Sequence, residues 1–398
     1  MSDAPATSLL QMPPLSLYVH IPWCVRKCPY CDFNSHQKNG ELPEQAYVDA
    51  LLQDFAQDLP WVQGREIRSI FFGGGTPSLF SARAYERLFD GLLQKVRFAS
   101  DIEITLEANP GTAERGKFAD YRRAGINRLS IGIQSFDDPQ LQNLGRIHGS
   151  DDGRKAIEFA RLAGFDNLNV DIMYGLKEQS LGAALADLEE AISFAPEHLS
   201  WYQLTIEPNT EFFKRPPALP HEDELIDIQD NGLALLARHG FARYEVSAFA
   251  REGRRSRHNL NYWRFGDYLG IGAGAHGKIT LTDENRILRM RKKKQPGHYL
   301  DTFRSLETAH ALLPEAYRAE TNAIATEDIA LEFMLNVLRL HEGFTPDQFQ
   351  HATGLGFEVV QKQVESLQNK GLLSAEGGLI RPTEKGQQFL NSALEEFL

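Results

Sequence analysis

The chain is poor in cysteine, in positive charge and in long apolar runs. It has three cysteines in 398 residues, all between Cys24 and Cys31. An odd number packed this closely excludes a disulfide framework, which needs pairs and usually spreads them. No second cysteine pair exists, so a structural zinc site of two separated pairs is also excluded, although His20 or His36 could complete a mixed set. Lys and Arg number 42 against 54 Asp and Glu, a formal net charge of −12. That balance argues against non-specific binding to nucleic acid or an anionic membrane. No stretch approaches the roughly twenty apolar residues of a spanning helix. Met1 to Pro14 has neither a basic start nor an apolar core, so a disordered lead is expected there rather than a signal peptide. With 42% apolar residues the chain has ample material for a core, and its length favours two or three domains.

Three cysteines spaced C-x3-C-x2-C follow a short β-branched and aromatic run, Tyr18-Val-His-Ile-Pro-Trp-Cys24-Val-Arg-Lys-Cys28-Pro-Tyr-Cys31. A cubane iron–sulfur cluster normally takes four thiolates. Three leave one iron without a protein ligand and open to a small molecule. Thiolates kept for a reducible cluster fit a reducing compartment, so a cytoplasmic location is expected.

Hydrophobic patterning reads as alternating strands and helices. Strands are expected at 15–21, 67–72, 102–107, 128–135, 168–173 and 199–206, with helices at 44–59, 81–96 and 181–194. Repeats of about thirty residues imply βαβ units on a parallel sheet. The expected fold class is α/β, an incomplete parallel (β/α)6 barrel followed by a mainly helical, winged-helix-like C-terminal domain. The expected divisions are a lead at 1–14, the barrel at 15–220, an extension at 221–325 and the last domain at 326–398. In barrels of this kind the site lies at the C-terminal ends of the strands. Those positions carry the cysteines, Gly73-Gly74-Gly75-Thr76, Glu107, Gln134 and Asp171. Taken singly each has a plain reading: a glycine turn, a loop-capping carboxylate, a surface amide.

Together, Tyr18-x-His20-Ile-Pro-x-Cys24-x3-Cys28-x2-Cys31, Gly73-Gly-Gly-Thr-Pro77, Glu107, Ile131-Gly-x-Gln134-Ser-Phe136 and Asp171-x3-Gly175 resemble the coproporphyrinogen-dehydrogenase-like branch of the radical S-adenosylmethionine (SAM) superfamily, across nearly the whole chain. The resemblance implies a [4Fe-4S] cluster on Cys24, Cys28 and Cys31, with SAM chelating the open iron. It implies that Tyr18, Gly74 and Glu107 face that SAM. Tyr30, Gly75, Thr76, Gln134, Arg146, Asp171 and Thr205 match positions used around a second SAM. Two groups share the pattern: oxygen-independent coproporphyrinogen III oxidases, which decarboxylate propionates, and HemW-type heme chaperones, which bind heme and pass it on. The oxidases carry a further cysteine where this chain has Phe33, and an extension before the first strand, which here begins near residue 15. His258-Asn259-Leu-Asn-Tyr262-Trp263 is similar to the heme-linked motif of the chaperone group. Imidazole is a common axial ligand to heme iron, and Tyr and Trp offer flat faces to a porphyrin. The bland alternative is a core histidine among aromatics. Implied partners are heme and heme-acceptor proteins, membrane-associated respiratory enzymes among the candidates, with a homodimer left open.

The run 267–277 is glycine-rich but lacks the βαβ context of a nucleotide fingerprint. Basic islands at 251–257 and 289–294 read either as solvated charge or as partners for heme propionates. The C-terminal stretch 326–398 has five Lys and Arg against eleven Asp and Glu. It therefore reads as a lid or docking module, since a duplex reader needs the opposite sign.

Overall fold

The computed structural model describes residues 10–112, 115–309 and 315–398. Six strands, β1 (Leu15–Ile21), β2 (Ile67–Gly74), β3 (Phe98–Ala108), β4 (Arg128–Gln134), β5 (Leu168–Tyr174) and β6 (His198–Gln203), lie parallel and adjacent in that order. The helices between them are α1 (Glu44–Asp58), α2 (Ala82–Leu93), α3 (Arg115–Ala124), α4 (Ser150–Leu162) and α5 (Leu181–Ser193). Strand side chains alternate in direction. Leu17, Val19, Phe72, Leu106, Ile131, Val170 and Leu199 join the apolar core shared with the helices. Their neighbours point inward and are mostly polar, including Ser16, Ser69, Ser130, Asn169 and Asp171, which bond to one another across strands. Both faces are buried, yet the strands alternate apolar toward the helices with polar toward the barrel interior, as in LSLYVHI and LNVDIMY.

A seventh parallel strand was not expected. After α6 (Glu222–Arg238), the antiparallel pair β7 (Ala242–Glu245) and β8 (Ala248–Ala250), and α7 (Arg257–Trp263), strand β9 (Asp267–Ile271) pairs with β1 on the side away from β2. It comes from the glycine-rich run. Gly270 has no room for a side chain, because a Cβ would stand 1.9 Å from the His276 carbonyl oxygen. Asp267, fully buried, anchors the strand by accepting from Arg65 (2.7 Å) and Lys278 (3.0 Å). Antiparallel strands β10 (His276–Leu281), β11 (Arg286–Lys292) and β12 (Arg318–Ala323) extend that edge. The result is one mixed twelve-stranded sheet with a parallel centre. A buried ionic group ties this flank to the barrel: Lys292 on β11 reaches Asp54 and Asp58 of α1, and Arg318 of β12 also meets Asp58 at 2.8 Å.

At the opposite end from the strand termini, α7 closes the barrel floor. The backbone N–H groups of Arg257 and His258 donate to Glu103 Oε1 on β3 (2.9 and 3.3 Å). The C-terminal domain has its own core, built by α9 (Thr326–Val337), α10 (Pro346–Thr353), α11 (Glu358–Asn369) and the hairpin β13 (Leu373–Glu376) and β14 (Leu379–Pro382). Helix α8 (Pro296–Ala309) precedes it and packs on α1. Of the expected lead, residues 1–9 lie outside the described residues. Leu10 is buried in the C-terminal core and Gln11 N donates to His351 O (2.8 Å), so the chain is already held there. Arg339 lies over Trp263 (4.4 Å) and pairs with Glu245, and Arg264 pairs with Glu342. These contacts fasten the C-terminal domain to α7 and β7.

Candidate functional site

Pro22 ends the pairing of β1, and the chain then turns over the barrel mouth. Gly75 N donates to Ile21 O and Thr76 N to Trp23 O, both at 2.7 Å. This close approach requires glycine, because a Cβ on Gly75 would stand 2.5 Å from the Trp23 carbonyl oxygen. Gly74 has φ +114°, and a Cβ there would meet the His20 ring at 2.5 Å. The glycine run is thus a cradle that lets backbone lie against backbone, its N–H groups taken up by Ile21 O, Trp23 O and the Glu107 carboxylate. The cysteine loop is closed by a short bridge between Trp23–Cys24 and His36–Gln37, and Cys31 N donates to Cys28 O at 3.2 Å.

The loop overlooks a cleft of about 530 Å³, within the usual range for a small-molecule site. Cys24, Cys28, Cys31, Tyr30, Gly74, Gly75, Thr76, Glu107, Gln134, Arg146, Asp171 and Thr205 all line it. Only Tyr18 of the expected SAM set is absent from the wall. It sits one layer below, its hydroxyl 3.0 Å from His20 Nδ1 and its ring under Gly73, and it lies close enough to Glu107 for the two to feel each other's charge.

Arg146 organises one side of the cleft. Its guanidinium donates to Asn109 Oδ1 (2.5 Å) and Gly132 O (2.8 Å), and reaches Tyr30 Oη (3.4 Å) and Cys28 Sγ (3.6 Å). Burial works against this cation, but Tyr30 and Cys28 beside it hold its pKa above the ordinary value. Gln134 ends β4 with φ +73°, an uncommon conformation for a side chain larger than glycine, and its Oε1 accepts from Tyr202 (2.6 Å). Asn109 and Tyr202 were not singled out in the sequence. Asn109 stands two positions after Glu107, and Tyr202 shares a strand face with Ser200, the register partner of Asp171.

Glu107 and Asp171 face each other across the cleft. Burial, then the Asp171 charge, raises the Glu107 pKa to about 8. Burial also raises Asp171, although Asn169, Ser200 and Ser130 bond to its carboxylate. In the ligand-free protein Glu107 therefore holds a proton that the unfolded chain has released between about pH 4.5 and 8. Stability falls as pH rises through that window, because the folded state binds more protons. Urea midpoints of the apoprotein are expected to drop from pH 5 to pH 8.5, and Glu107→Gln to reduce the slope. An unchanged slope would contradict the assignment.

The residue set fits the implied cluster. Burial raises the Cys24 and Cys31 thiols, so a neighbouring cation would be needed to hold them as thiolates. Among the described residues no three His, Cys, Asp or Glu groups converge as a single metal ion requires. A cubane instead takes each thiolate at a separate corner, which suits a spread loop of three. Glu107, the Gly74–Gly75 backbone and Arg146 offer groups for the amino and carboxylate ends of an amino-acid-like ligand.

The expected heme residues are not brought to this cleft. His258 is sealed in the barrel floor at 1% exposure, its Nδ1 3.0 Å from Ser69 Oγ and its ring stacked 5.1 Å from Phe71. Tyr262 packs edge-on to it, Asn259 N bonds the Ser256 hydroxyl that caps α7, and Trp263 serves as the platform for Arg339. Burial, then Arg128, lowers the His258 pKa to about 3, so the imidazole is neutral. Its Nε2 has no partner and lies in the interior. In this conformation the His258 imidazole is closed off from a porphyrin, while Asn259, Tyr262 and Trp263 keep part of their surface exposed. His258→Ala is expected to destabilise the chain by about 2–4 kcal/mol, as emptying a packed site does, in urea denaturation.

An incomplete parallel barrel with a cysteine loop and glycine cradle at its mouth is the architecture of radical-SAM proteins, and residues 18–192 match the radical SAM superfamily. Residues 324–389 match the HemN C-terminal domain. Along its whole length the chain is 48% identical to the heme chaperone HemW of Escherichia coli (98% of this chain, all of that one). It is 46% identical to the heme chaperone HemW of Haemophilus influenzae (98% of this chain, 99% of that one). The chain belongs to the HemW family. The solved structure of coproporphyrinogen III oxidase (HemN) from Escherichia coli shares the fold, with a TM-score of 0.79 over 97% of this chain and 90% of that one, at 24% identity.

Proposed function

We propose that this protein binds heme and passes it to acceptor proteins, and that it carries a [4Fe-4S] cluster on Cys24, Cys28 and Cys31 with SAM at the open iron. The heme role rests on full-length identity of 48% to a protein named as a heme chaperone. The cofactor role rests on the site: three thiols on one loop facing a cleft that also holds Glu107, Gln134, Arg146 and Asp171. The cluster, when bound, supplies an electron for reductive chemistry on the sulfonium. The protein's own share is positional. Arg146 is held by Asn109 and Gly132 so that its charge faces the cleft, Gln134 is fixed by Tyr202, and the glycine backbone lets a ligand approach closely. Glu107 takes or gives up a proton according to the charge beside it. A reducing, intracellular setting suits the thiolates, and no helix of the described residues is long and apolar enough to cross a membrane.

The likeness to HemN in fold favours a second reading, coproporphyrinogen III oxidation. Phe33, 60% exposed where the oxidases carry a further cysteine, weighs against it. Anaerobically reconstituted protein is expected to take up heme stoichiometrically, and to release no carbon dioxide from coproporphyrinogen III with SAM and reductant. Decarboxylation without heme uptake would reverse the two readings.

A further inference from the structure

The basic island at 289–294 divides sharply by surroundings. Arg289 bonds Glu332 and Tyr268, Lys292 is buried with Asp54 and Asp58, and Lys293 donates to Thr302 (2.8 Å). Arg291 and Lys294 remain exposed. Both stand beside the cysteine loop, because Asn34 Nδ2 donates to the carbonyls of Ala273 and Lys294 (both 2.9 Å) and so pins that loop to the turn before β10. His276, exposed, opens β10 directly across from Arg291. His36 bonds Asn34 Oδ1 (3.1 Å), and Lys27 donates to the carbonyl of Phe33, whose ring is 60% exposed. The barrel lip therefore gathers Lys27, Arg291 and Lys294 around an exposed imidazole and an exposed aromatic ring, on a protein whose net charge is −12.

We propose that heme docks on this lip, with His276 as an axial ligand, the Phe33 ring against the porphyrin face and Lys27 and Lys294 meeting the propionates. The proposal rests on the heme-chaperone reading above and adds a place to it. Chemistry selects this ligand class: a flat apolar dianion with a Lewis-acidic centre matches one imidazole, one ring and cations. Arg291 is already paired with Glu320 (3.1 Å), which leaves the two lysines as the uncommitted charges. Partial burial, then Arg291, Arg289 and Lys294, lowers the His276 pKa, and burial, Lys27 and Lys294 lower that of His36. Imidazoles kept neutral at physiological pH are ready to ligate.

The test uses the full-length protein titrated with hemin, following the Soret band and affinity. His276→Ala is expected to change the ligand-sensitive spectrum and weaken binding roughly tenfold, about what loss of one axial bond costs. The double reversal Lys27→Glu with Lys294→Glu is expected to weaken hemin about threefold per charge and to flatten its salt dependence. Hemin dimethyl ester, with capped propionates, should bind the reversal and the wild type alike. If wild type binds heme while both variants keep its affinity and spectrum, the lip is overturned and the chaperone reading stands. If only His258→Ala alters the spectrum, the barrel floor is the site and the lip is overturned. If wild type takes up no heme, both readings fall.

Discussion

Cys28→Ala leaves a folded protein that contains no cluster. Anaerobically purified wild type is expected to hold about four irons and four sulfides per chain, and the variant essentially none, with loss of the charge-transfer absorbance. The expectation is all-or-none because this chain has no spare thiol to recruit. Two thiolates and an open iron would leave two corners of a cubane without protein. Cys28 is only half-buried on a surface loop, so truncation to alanine removes little packing, and circular dichroism and the urea midpoint should match those of the apoprotein. Cys24→Ala and Cys31→Ala should act alike on iron content. Cys24, being buried beside Thr76, should also cost some stability. Equimolar zinc without sulfide in the wild type, or retained iron and sulfide in the variants, would overturn the cluster assignment.

Lys292→Met is expected to be the most destabilising single change outside the site, by about 3–5 kcal/mol, the range seen when one partner of a buried ion pair is removed. Its ammonium is fully buried between Asp54 and Asp58. Asp54 also accepts from Tyr299 (2.7 Å) and from Gly272 N (3.1 Å), so the carboxylate is fixed in place and cannot turn to water. Even with Lys292 present, burial raises the Asp54 pKa to about 6. Without the cation the Asp54 carboxyl rises further, because the Lys292 charge is what draws it down against burial. A carboxyl whose folded pKa lies above its unfolded value binds more protons when folded, so stability falls as pH rises through the interval between them. The deficit of the variant should therefore shrink toward pH 5 and grow toward pH 8 in urea denaturation. Adding Asp54→Asn should recover part of it. An equal deficit at both pH values would show that the lost term is packing rather than charge.

The six leading strands were legible because β-branched, aromatic and apolar residues recur along short segments at regular spacing, and the cysteines because nothing else in the chain competes with them. The glycine cradle was legible as a turn; that it seats one backbone on another needed coordinates. Strand β9 was missed because glycine has little strand propensity and its partner β1 lies at the other end of the sequence, a pairing no local pattern reveals. The island at 289–294 looked uniform as letters, yet strand alternation buries Lys292 and exposes Arg291, and Lys294 is exposed on the turn beyond the strand. The motif from His258 to Trp263 shows the converse. Its residue types suit a porphyrin, and they equally suit a barrel floor, which is where tertiary packing puts them. Tyr18 lies one layer beneath the cleft wall for a related reason: motif position gives the strand and the face, while depth depends on what packs above.

The pairing of β1 with β9, and of Asn34 with the carbonyls of Ala273 and Lys294, has a bearing on biosynthesis. The first strand and the thiol loop leave the ribosome well before the neighbours that brace them, Asn34 and Lys294 being 260 residues apart. Long-range pairing of this kind folds slowly. A nascent chain thus carries its thiols without their final support until residue 294 has emerged, so a cluster of the kind proposed above is expected to be held firmly only after that segment has joined the sheet.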